Sequence, residues 1–218
     1  NKIKNLGNLK FSKSKFFSPV KQNKKIKNLL SKNIWCASST HFNEEELCAQ
    51  VHIKLKKKIK NLITIIIPRH VHRTDEIIEK LNHMNLKVHK HSSAYKFEKN
   101  KDIYFVDSYG ETLNFYNISK IVFLGGSFIN HGGQNPIEPA RLGCKILHGP
   151  YIHNFREVYK YLNSIGISNK AKNIKDLTKY LIQELKKNKK KNYKFTRQID
   201  YIGQQILNRT FFEIQKYL

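Results

Sequence analysis

The sequence predicts an α/β protein with a single Rossmann-like, doubly wound parallel sheet. Three observations lead to this prediction. Short apolar stretches alternate with amphipathic ones, the alternation repeats about every 25–30 residues, and polar or glycine-rich loops follow the apolar stretches. In such sheets ligands bind beyond the carboxyl ends of the strands. We therefore look for a site in the loops that follow the predicted strands.

Composition allows one folded core with additions at its ends. The chain has 218 residues, of which 39% are hydrophobic and 11% aromatic, so global disorder is not expected. Residues 1–31 are rich in Lys and Asn and indicate a linker or arm. Residues 32–195 form the predicted Rossmann-like domain, and residues 196–218 form a closing helix.

The first predicted strand and helix follow the arm. Residues 33–38 are a short apolar strand, and Asn43 with Glu46 three residues later predicts a capping box at the start of a helix. Apolar residues recur on this helix at steps of four, at Leu47, Val51, Leu55 and Ile59.

The second pair of elements has the clearest strand signal. Residues 62–67 are almost entirely β-branched and apolar, which is typical of a parallel strand covered on both faces. Pro68 ends this strand. A helix over residues 74–84 carries Asp75 and Glu76 in its first turn, where the helix dipole favours acids.

The remaining elements continue the alternation. Further strands are predicted at residues 87–89, 103–106, 121–124 and 145–147. Further helices are predicted from Glu111, from Pro136, and over residues 154–162, 176–185 and 198–218.

The net charge of +25 has two explanations. It indicates either a polyanionic partner, such as nucleic acid or an anionic membrane surface, or the Lys and Asn enrichment typical of an AT-rich genome. No apolar stretch approaches the roughly 20 residues of a membrane-spanning helix, and no signal peptide is evident. Three widely spaced cysteines, Cys36, Cys48 and Cys144, indicate a reducing, cytoplasmic setting and no zinc site.

Two of the predicted strands are followed by loops with candidate binding residues. After the β-branched strand, Pro68 precedes Arg69, which either reaches an anionic ligand or is an ordinary surface residue. We interpret His70 and His72 nearby as polar residues and not as metal ligands. After residues 103–106, the segment Asp107-Ser108-Tyr109-Gly110-Glu111 either reads the edge of a base with its backbone or is a helix-capping turn.

The segment over residues 125–139 is the strongest candidate. Two glycine pairs clear side chains from the end of a strand, and Asn135 at N-cap with Pro136 at N1 would point the free N–H groups of a helix into the cleft. That arrangement predicts a phosphate site. Glu138 either completes a capping box with Asn135 or accepts hydrogen bonds from ribose hydroxyls.

Together these loops resemble a known family. The resemblance rests on Ala37-Ser38-Ser39-Thr40-His41 with Glu44-Glu45-Glu46, on Pro68-Arg69-His70, on Asp107 to Glu111, on His131-Gly132-Gly133-Gln134-Asn135-Pro136-Ile137-Glu138-Pro139-Ala140, on Gly149-Pro150 with Asn154-Phe155, and on Gly7-Asn8-Leu9-Lys10-Phe11. In their order along the chain, over roughly residues 7 to 165, they resemble the C-terminal domain of the 3-deoxy-D-manno-octulosonic acid (Kdo) transferases. Gln134 and Tyr109 depart from the family's usual His and Met.

The resemblance implies the C-terminal half of a GT-B-type enzyme that transfers Kdo with inversion from CMP-Kdo to a lipid A precursor. It implies no cofactor and no metal, and a peripheral location on the cytoplasmic face of the bacterial inner membrane, in contact with its anionic surface. By position, it implies that Lys10 stabilises the transition state. The implied nucleotide-binding residues are Pro68, Arg69, Tyr109, Gly110, Glu111, Asn135, Pro136, Ile137 and Glu138.

The resemblance does not extend to the family's N-terminal domain, which binds the acceptor and carries the catalytic base. We therefore expect that domain to be a missing partner and assign no base here. Two other functions remain open: a basic nucleic-acid-binding protein, which lacks support from any recognition motif, and another nucleotide-sugar glycosyltransferase domain.

Overall fold

The computed structural model describes residues 3–12, 24–94, 97–98, 100–187, 191 and 193–217, with backbone alone at residues 10, 24 and 25. Strands and helices alternate along most of this length. No helix among these residues has the length and hydropathy needed to cross a bilayer.

The strands form one parallel sheet of seven, in the order β3-β4-β2-β1-β5-β6-β7. They are β1 (Asn33–Thr40), β2 (Leu62–Pro68), β3 (Val88–Lys90), β4 (Ile103–Phe105), β5 (Ile121–Leu124), β6 (Lys145–His148) and β7 (Ser168–Lys170). The strand order reverses direction between β1 and β5, so a crevice opens there at the carboxyl edge, which is where ligands bind in doubly wound folds. The predicted fold class is confirmed.

In the described residues, seven α-helices pack around the sheet and follow it. They are α1 (Glu44–Lys56), α2 (Thr74–His83), α3 (Thr112–Ile118), α4 (Ile137–Arg141), α5 (Arg156–Ser164), α6 (Ile174–Lys186) and α7 (Thr196–Ile214). Alternate residues of β2 enter separate cores, with Ile65 and Ile67 on one face and Ile66 on the other. Every residue of β2 is buried, as its β-branched sequence predicts.

Two local predictions fail. Asn43 precedes α1 in the left-handed conformation, with φ 69°, and its side chain makes no capping bond. Glu46 instead pairs with Lys80 at 2.8 Å, so the capping box is wrong. The strand β7 was not predicted, because its polar sequence Ser-Asn-Lys carries no apolar signal and its position depends on pairing with β6.

Parts of the predicted arm pack against the body of the protein. Phe11 and Leu29 are buried in one of the two cores. The Arg141 guanidinium donates from Nη2 to the Phe11 carbonyl at 2.6 Å and pairs through Nε with Asp200 of α7 at 2.7 Å. Gly203 of α7 lies so close that a Cβ there would stand 1.9 Å from the Phe11 carbonyl oxygen. The domain boundaries stay a prediction.

Candidate functional site

Loops from neighbouring strands meet at the carboxyl edge of the sheet, where the site was predicted. The ring of His41, after β1, lies 4.0 Å from the ring of His131, after β5, and 5.7 Å from that of His70, after β2. The Tyr109 hydroxyl, after β4, accepts a hydrogen bond from the Val71 amide at 3.4 Å. The fold therefore brings the three predicted nucleotide-binding loops to one edge.

The imidazole of His41 occupies the centre of this edge. Burial, together with the positive charges of His131, His70, Arg69 and Arg73, lowers its pKa from the ordinary 6.5 to about 4. The Gln134 amide donates to His41 Nε2 at 3.1 Å, which fits a neutral ring with an accepting Nε2. This region is electropositive, and it favours an anionic ligand.

The clustered histidines do not form a metal centre. The ring centroids of His70 and His72 lie 5.5 Å apart, with the two planes tilted by 40°. Among the described residues, no group of three or more His, Cys, Asp or Glu side chains has the geometry to hold a metal ion.

Arg69 is placed to meet an anion. Pro68 is buried as the last residue of β2, and the Arg69 amide continues the pairing by donating to the Thr40 carbonyl at 2.9 Å. The Arg69 side chain is exposed. Within the described part of the chain, no carboxylate pairs with its guanidinium, whereas Arg73 is held by the buried Glu45 at 3.2 Å. Of these two cations, Arg69 is the one left open to a ligand.

The loop after β4 presents its backbone at the rim. Asp107 does not cap α3, because its carboxylate accepts hydrogen bonds from the Ser92 amide, at 2.9 Å, and from the Ser92 hydroxyl. Tyr109 is exposed, and Gly110 has φ 83° with open space around it. Glu111 directly precedes α3 and accepts from Asn114 Nδ2 at 2.6 Å. The capping-turn interpretation through Asp107 is therefore wrong. Tyr109 and Gly110 are exposed at the rim, whereas the Glu111 carbonyl accepts from the Asn114 amide at 3.0 Å.

A buried side chain of the protein itself binds the backbone at the first glycine pair after β5. Glu44, the first residue of α1, is fully buried, and its carboxylate accepts from the amides of Gly126, Ser127 and Phe128 at 2.6, 3.1 and 3.0 Å. It also accepts from the His41 amide at 3.0 Å. Acids at the start of a helix usually interact with its dipole, so the contact of Glu44 with a distant loop was not predicted.

The second glycine pair leads into α4. Asn135 Oδ1 accepts from the Ile137 amide at 3.1 Å, but α4 begins at Ile137 with Pro136 at N-cap, one residue later than predicted. The helix has five residues, so its dipole is that of little more than one turn.

Glu138 has an exposed side chain, and no described hydrogen bond joins it to the Asn135 amide. The capping-box interpretation of Glu138 therefore fails in this structure. The carboxyl retains its capacity to bind a ligand, and partial desolvation by the surrounding helices raises its pKa, an effect that Arg141 opposes.

The loop between the glycine pairs is braced by the segment after β6. The Asn154 side chain donates to the His131 carbonyl at 3.0 Å, and the Asn154 amide donates to the Gly132 carbonyl at 3.1 Å. A Cβ on Gly132, whose φ is 93°, would stand 2.3 Å from Asn154 Nδ2. The Gly149 amide donates to Ser127 Oγ at 2.8 Å. These contacts fix the loop before any ligand binds.

The side chain of Lys10 lies outside the described residues. Its backbone belongs to a short 3-10 helix, Leu9–Phe11, and Asn8 lines an open depression together with His153 and Asn154. Because Asn154 also braces His131, the segment that carries Lys10 lies beside the predicted site.

No family model matches the chain. Among curated proteins, it is similar to the 3-deoxy-D-manno-octulosonic acid transferase of Haemophilus influenzae, with 34% identity over 59% of this chain and 30% of that protein. The enzyme of the same name from Rickettsia prowazekii is 33% identical over 84% of this chain and 40% of its own length. The chain thus spans less than half the length of these relatives.

Among solved structures, the chain is similar to the C-terminal CMP-Kdo binding domain of WaaA from Acinetobacter baumannii. The TM-score is 0.70 and the identity 25%, over 82% of this chain and 91% of that domain. A kitacinnamycin glycosyltransferase, at 11% identity and a TM-score of 0.52, shares the fold alone. By sequence and by structure, the chain belongs to the Kdo transferase family and corresponds to its C-terminal domain.

Proposed function

We propose that the chain is the donor-binding half of an inverting glycosyltransferase that moves Kdo from CMP-Kdo to a lipid A precursor in lipopolysaccharide biosynthesis. The observation that carries this proposal is the meeting of three loops at one electropositive edge, centred on His41 and open at Arg69. The similarity to a CMP-Kdo binding domain supports the choice of donor.

Each part of cytidine monophosphate has a matching group in this arrangement. The guanidinium of Arg69 offers paired donors to the phosphate, together with the amides at the start of α4. The Glu138 carboxylate accepts from the ribose hydroxyls. In this scheme the backbone of the turn at Tyr109, Gly110 and Glu111 binds the edge of the base, a contact that does not depend on the Tyr109 side chain. No cofactor or metal has a part in this scheme.

Lys10 has the proposed role of stabilising the transition state. As the bond between Kdo and the phosphate breaks, the departing phosphate gains negative charge, and a nearby ammonium group lowers the energy of that state. We expect Lys10→Ala to lower transfer far more than nucleotide affinity in any assembly that has activity.

The nucleotide site can be tested by calorimetry on the chain as it stands. Cytidine monophosphate should bind more tightly than uridine or adenosine monophosphate, because the peptide groups of the β4 loop read the base. Equal affinities would contradict the assignment to CMP-Kdo while leaving a nucleotide site. A steep loss of all binding with salt and no base preference would favour the nucleic-acid alternative.

Glu138→Ala tests the ribose contact against the capping contact, which the structure does not show. A ribose contact should cost about 1.5–3 kcal/mol of nucleotide binding, because hydrogen bonds to charged groups are the stronger ones. A capping contact should instead cost about 0.5–2 kcal/mol of folding stability. Unchanged affinity with a lower melting temperature would contradict the ribose assignment.

The chain alone should not transfer Kdo to a lipid A precursor. Inverting displacement needs a base that deprotonates the acceptor hydroxyl on the face opposite the leaving phosphate. Of the acids at this edge, Glu44 is fully buried and Glu111 and Glu138 lie in the donor loops. Adding a separate N-terminal domain that carries the family's carboxylate should restore turnover, and turnover without it would contradict the proposed division of labour.

We also place the enzyme on the cytoplasmic face of the bacterial inner membrane as a peripheral protein. The net charge of +25 supports attraction to an anionic surface, and the proposed acceptor is a lipid. Binding to vesicles that contain anionic lipid, but not to neutral vesicles, would test this placement.

A further inference from the structure

The turn after β5 has the geometry of an anion-binding nest. Three successive amides, those of Gly126, Ser127 and Phe128, point to one place, and the His41 amide points there from β1. Such convergent N–H groups bind phosphates in many nucleotide sites. Here their place is filled by the side chain of Glu44.

The fit between Glu44 and the nest is close. Each carboxylate oxygen accepts two amides: Oε2 from His41 and Gly126, and Oε1 from Ser127 and Phe128. Four donors match a carboxylate that only accepts. The space is also closed around it, because a Cβ on Gly125 would stand 2.8 Å from Oε2 and 2.4 Å from the Ser39 carbonyl oxygen.

The same carboxylate orients the centre of the proposed site. Near its end, β1 has a bulge at Ser39, whose φ is 54°. Two residues later, the His41 amide donates to the Glu44 carboxylate, which fixes the position of the His41 backbone. The His41 ring then packs against Gly126, His131 and Gln134. The Glu44 carboxylate thus connects the loop after β1 with the loop after β5 by accepting hydrogen bonds from backbone amides of both loops.

We propose that Glu44 is a positioning residue: an internal anion that fills the nest after β5, so that a ligand phosphate binds at the outer rim beside Arg69 and His131 and not in the nest. The inference rests on the proposed nucleotide site for its functional consequence. It gives a role to a fully buried acid that contacts four backbone amides beside His41. Its effect on the ligand passes through the Gly126–Phe128 backbone and through His41.

Chemical rescue tests this role. In Glu44→Ala the four amides lose their acceptor, and we expect the affinity for cytidine monophosphate to fall about tenfold or more. Formate, which supplies a carboxylate of the right size, should restore most of that affinity, whereas chloride at the same ionic strength should not. Asp102→Ala is the matched control, because Asp102 is a buried carboxylate at the opposite edge of the sheet that binds the Lys87 amide and Lys56.

Asp102→Ala should lose stability but keep its nucleotide affinity, and formate should not alter that affinity. A second measurement separates this inference from the proposed function. In nuclear magnetic resonance spectra of Glu44→Ala, formate should shift the amide signals of Gly126, Ser127 and Phe128 saturably, with or without nucleotide. If the wild type fails to bind cytidine monophosphate, the proposed function is wrong, and these shifts still decide the role of Glu44.

The inference is overturned if formate leaves those three signals unchanged, or if Glu44→Ala binds the nucleotide as tightly as wild type without formate. If Glu44→Ala does not fold, Glu44→Gln replaces it in the affinity measurement. Its affinity should also fall, because the Gln side chain turns an NH2 donor toward two of the four N–H groups. Folding of Glu44→Ala in formate but not in chloride would support the inference, and equal folding in both would contradict it.

Discussion

Protonation of His41 should destabilise the fold between pH 6.5 and pH 4. The folded protein holds the His41 pKa at about 4, chiefly by burial and then by the charges of His131, His70 and the nearby arginines, against 6.5 in an exposed imidazole. In this window the unfolded chain binds the proton and the folded chain does not, so stability falls as the pH falls. At pH 5 the contribution is about 2 kcal/mol relative to neutral pH, for this residue alone.

The variant His41→Gln isolates that contribution. The Gln Oε1 atom can replace Nε2 as the acceptor for Gln134, but it does not titrate. Between pH 7.5 and pH 5 the variant should lose less stability than wild type, which for a chain of this length corresponds to about 4–8 °C in melting temperature. Urea unfolding at several pH values gives the same comparison as free energies.

His83→Gln is the control for this experiment. His83 lies on α2 with most of its side chain in water, so its replacement should leave the pH dependence of stability as in wild type. His148, whose pKa burial also lowers to about 4, should retain its own share of the dependence in every variant. The reasoning is refuted if His41→Gln and wild type lose the same stability between pH 7.5 and pH 5.

Three further substitutions test close backbone packing. Gly132→Ala should lower both stability and nucleotide affinity, because its Cβ would stand 2.3 Å from Asn154 Nδ2 and push that side chain away. Gly110→Ala has open space around it, so it should cost only about 1–2 kcal/mol of backbone strain at φ 83° and leave the loop after β5 intact. Gly203→Ala should lower the melting temperature by forcing α7 away from Phe11, with a loss of about 1–3 kcal/mol. Thermal unfolding with and without cytidine monophosphate measures all three, and equal losses in the Gly132 and Gly110 variants would contradict the bracing role of Asn154.

Local sequence patterns predicted correctly the elements whose structure depends on their own residues. The strand over residues 121–124 has the bounds that its apolar run predicts, and Val51, Leu55 and Ile59 of the predicted stripe are all buried. The three loops with the proposed nucleotide-binding residues lie at one edge of the sheet as predicted, because the carboxyl ends of parallel strands share an edge. The roles of the individual nucleotide-binding residues stay predictions.

The features that the sequence did not reveal depend on contacts between distant residues. Glu44 binds amides more than 80 positions away, and its place at a helix start offered a sufficient local explanation. The run Glu44-Glu45-Glu46 was a usable signal, because acids are scarce in this chain, with 16 against 41 basic residues. β7 was missed for the related reason that only its pairing with β6 makes it a strand.

The two outermost strands of the sheet bear on how the protein behaves at high concentration. An unpaired strand edge is a template for another chain, and long flat edges promote aggregation. Here β3 and β7 have three residues each, and each ends in a lysine, Lys90 and Lys170. An incoming strand would find few free backbone groups and would meet positive charge at once. The sheet is therefore poorly suited to edge-to-edge assembly, and the domain should stay dispersed without a partner to cover its borders.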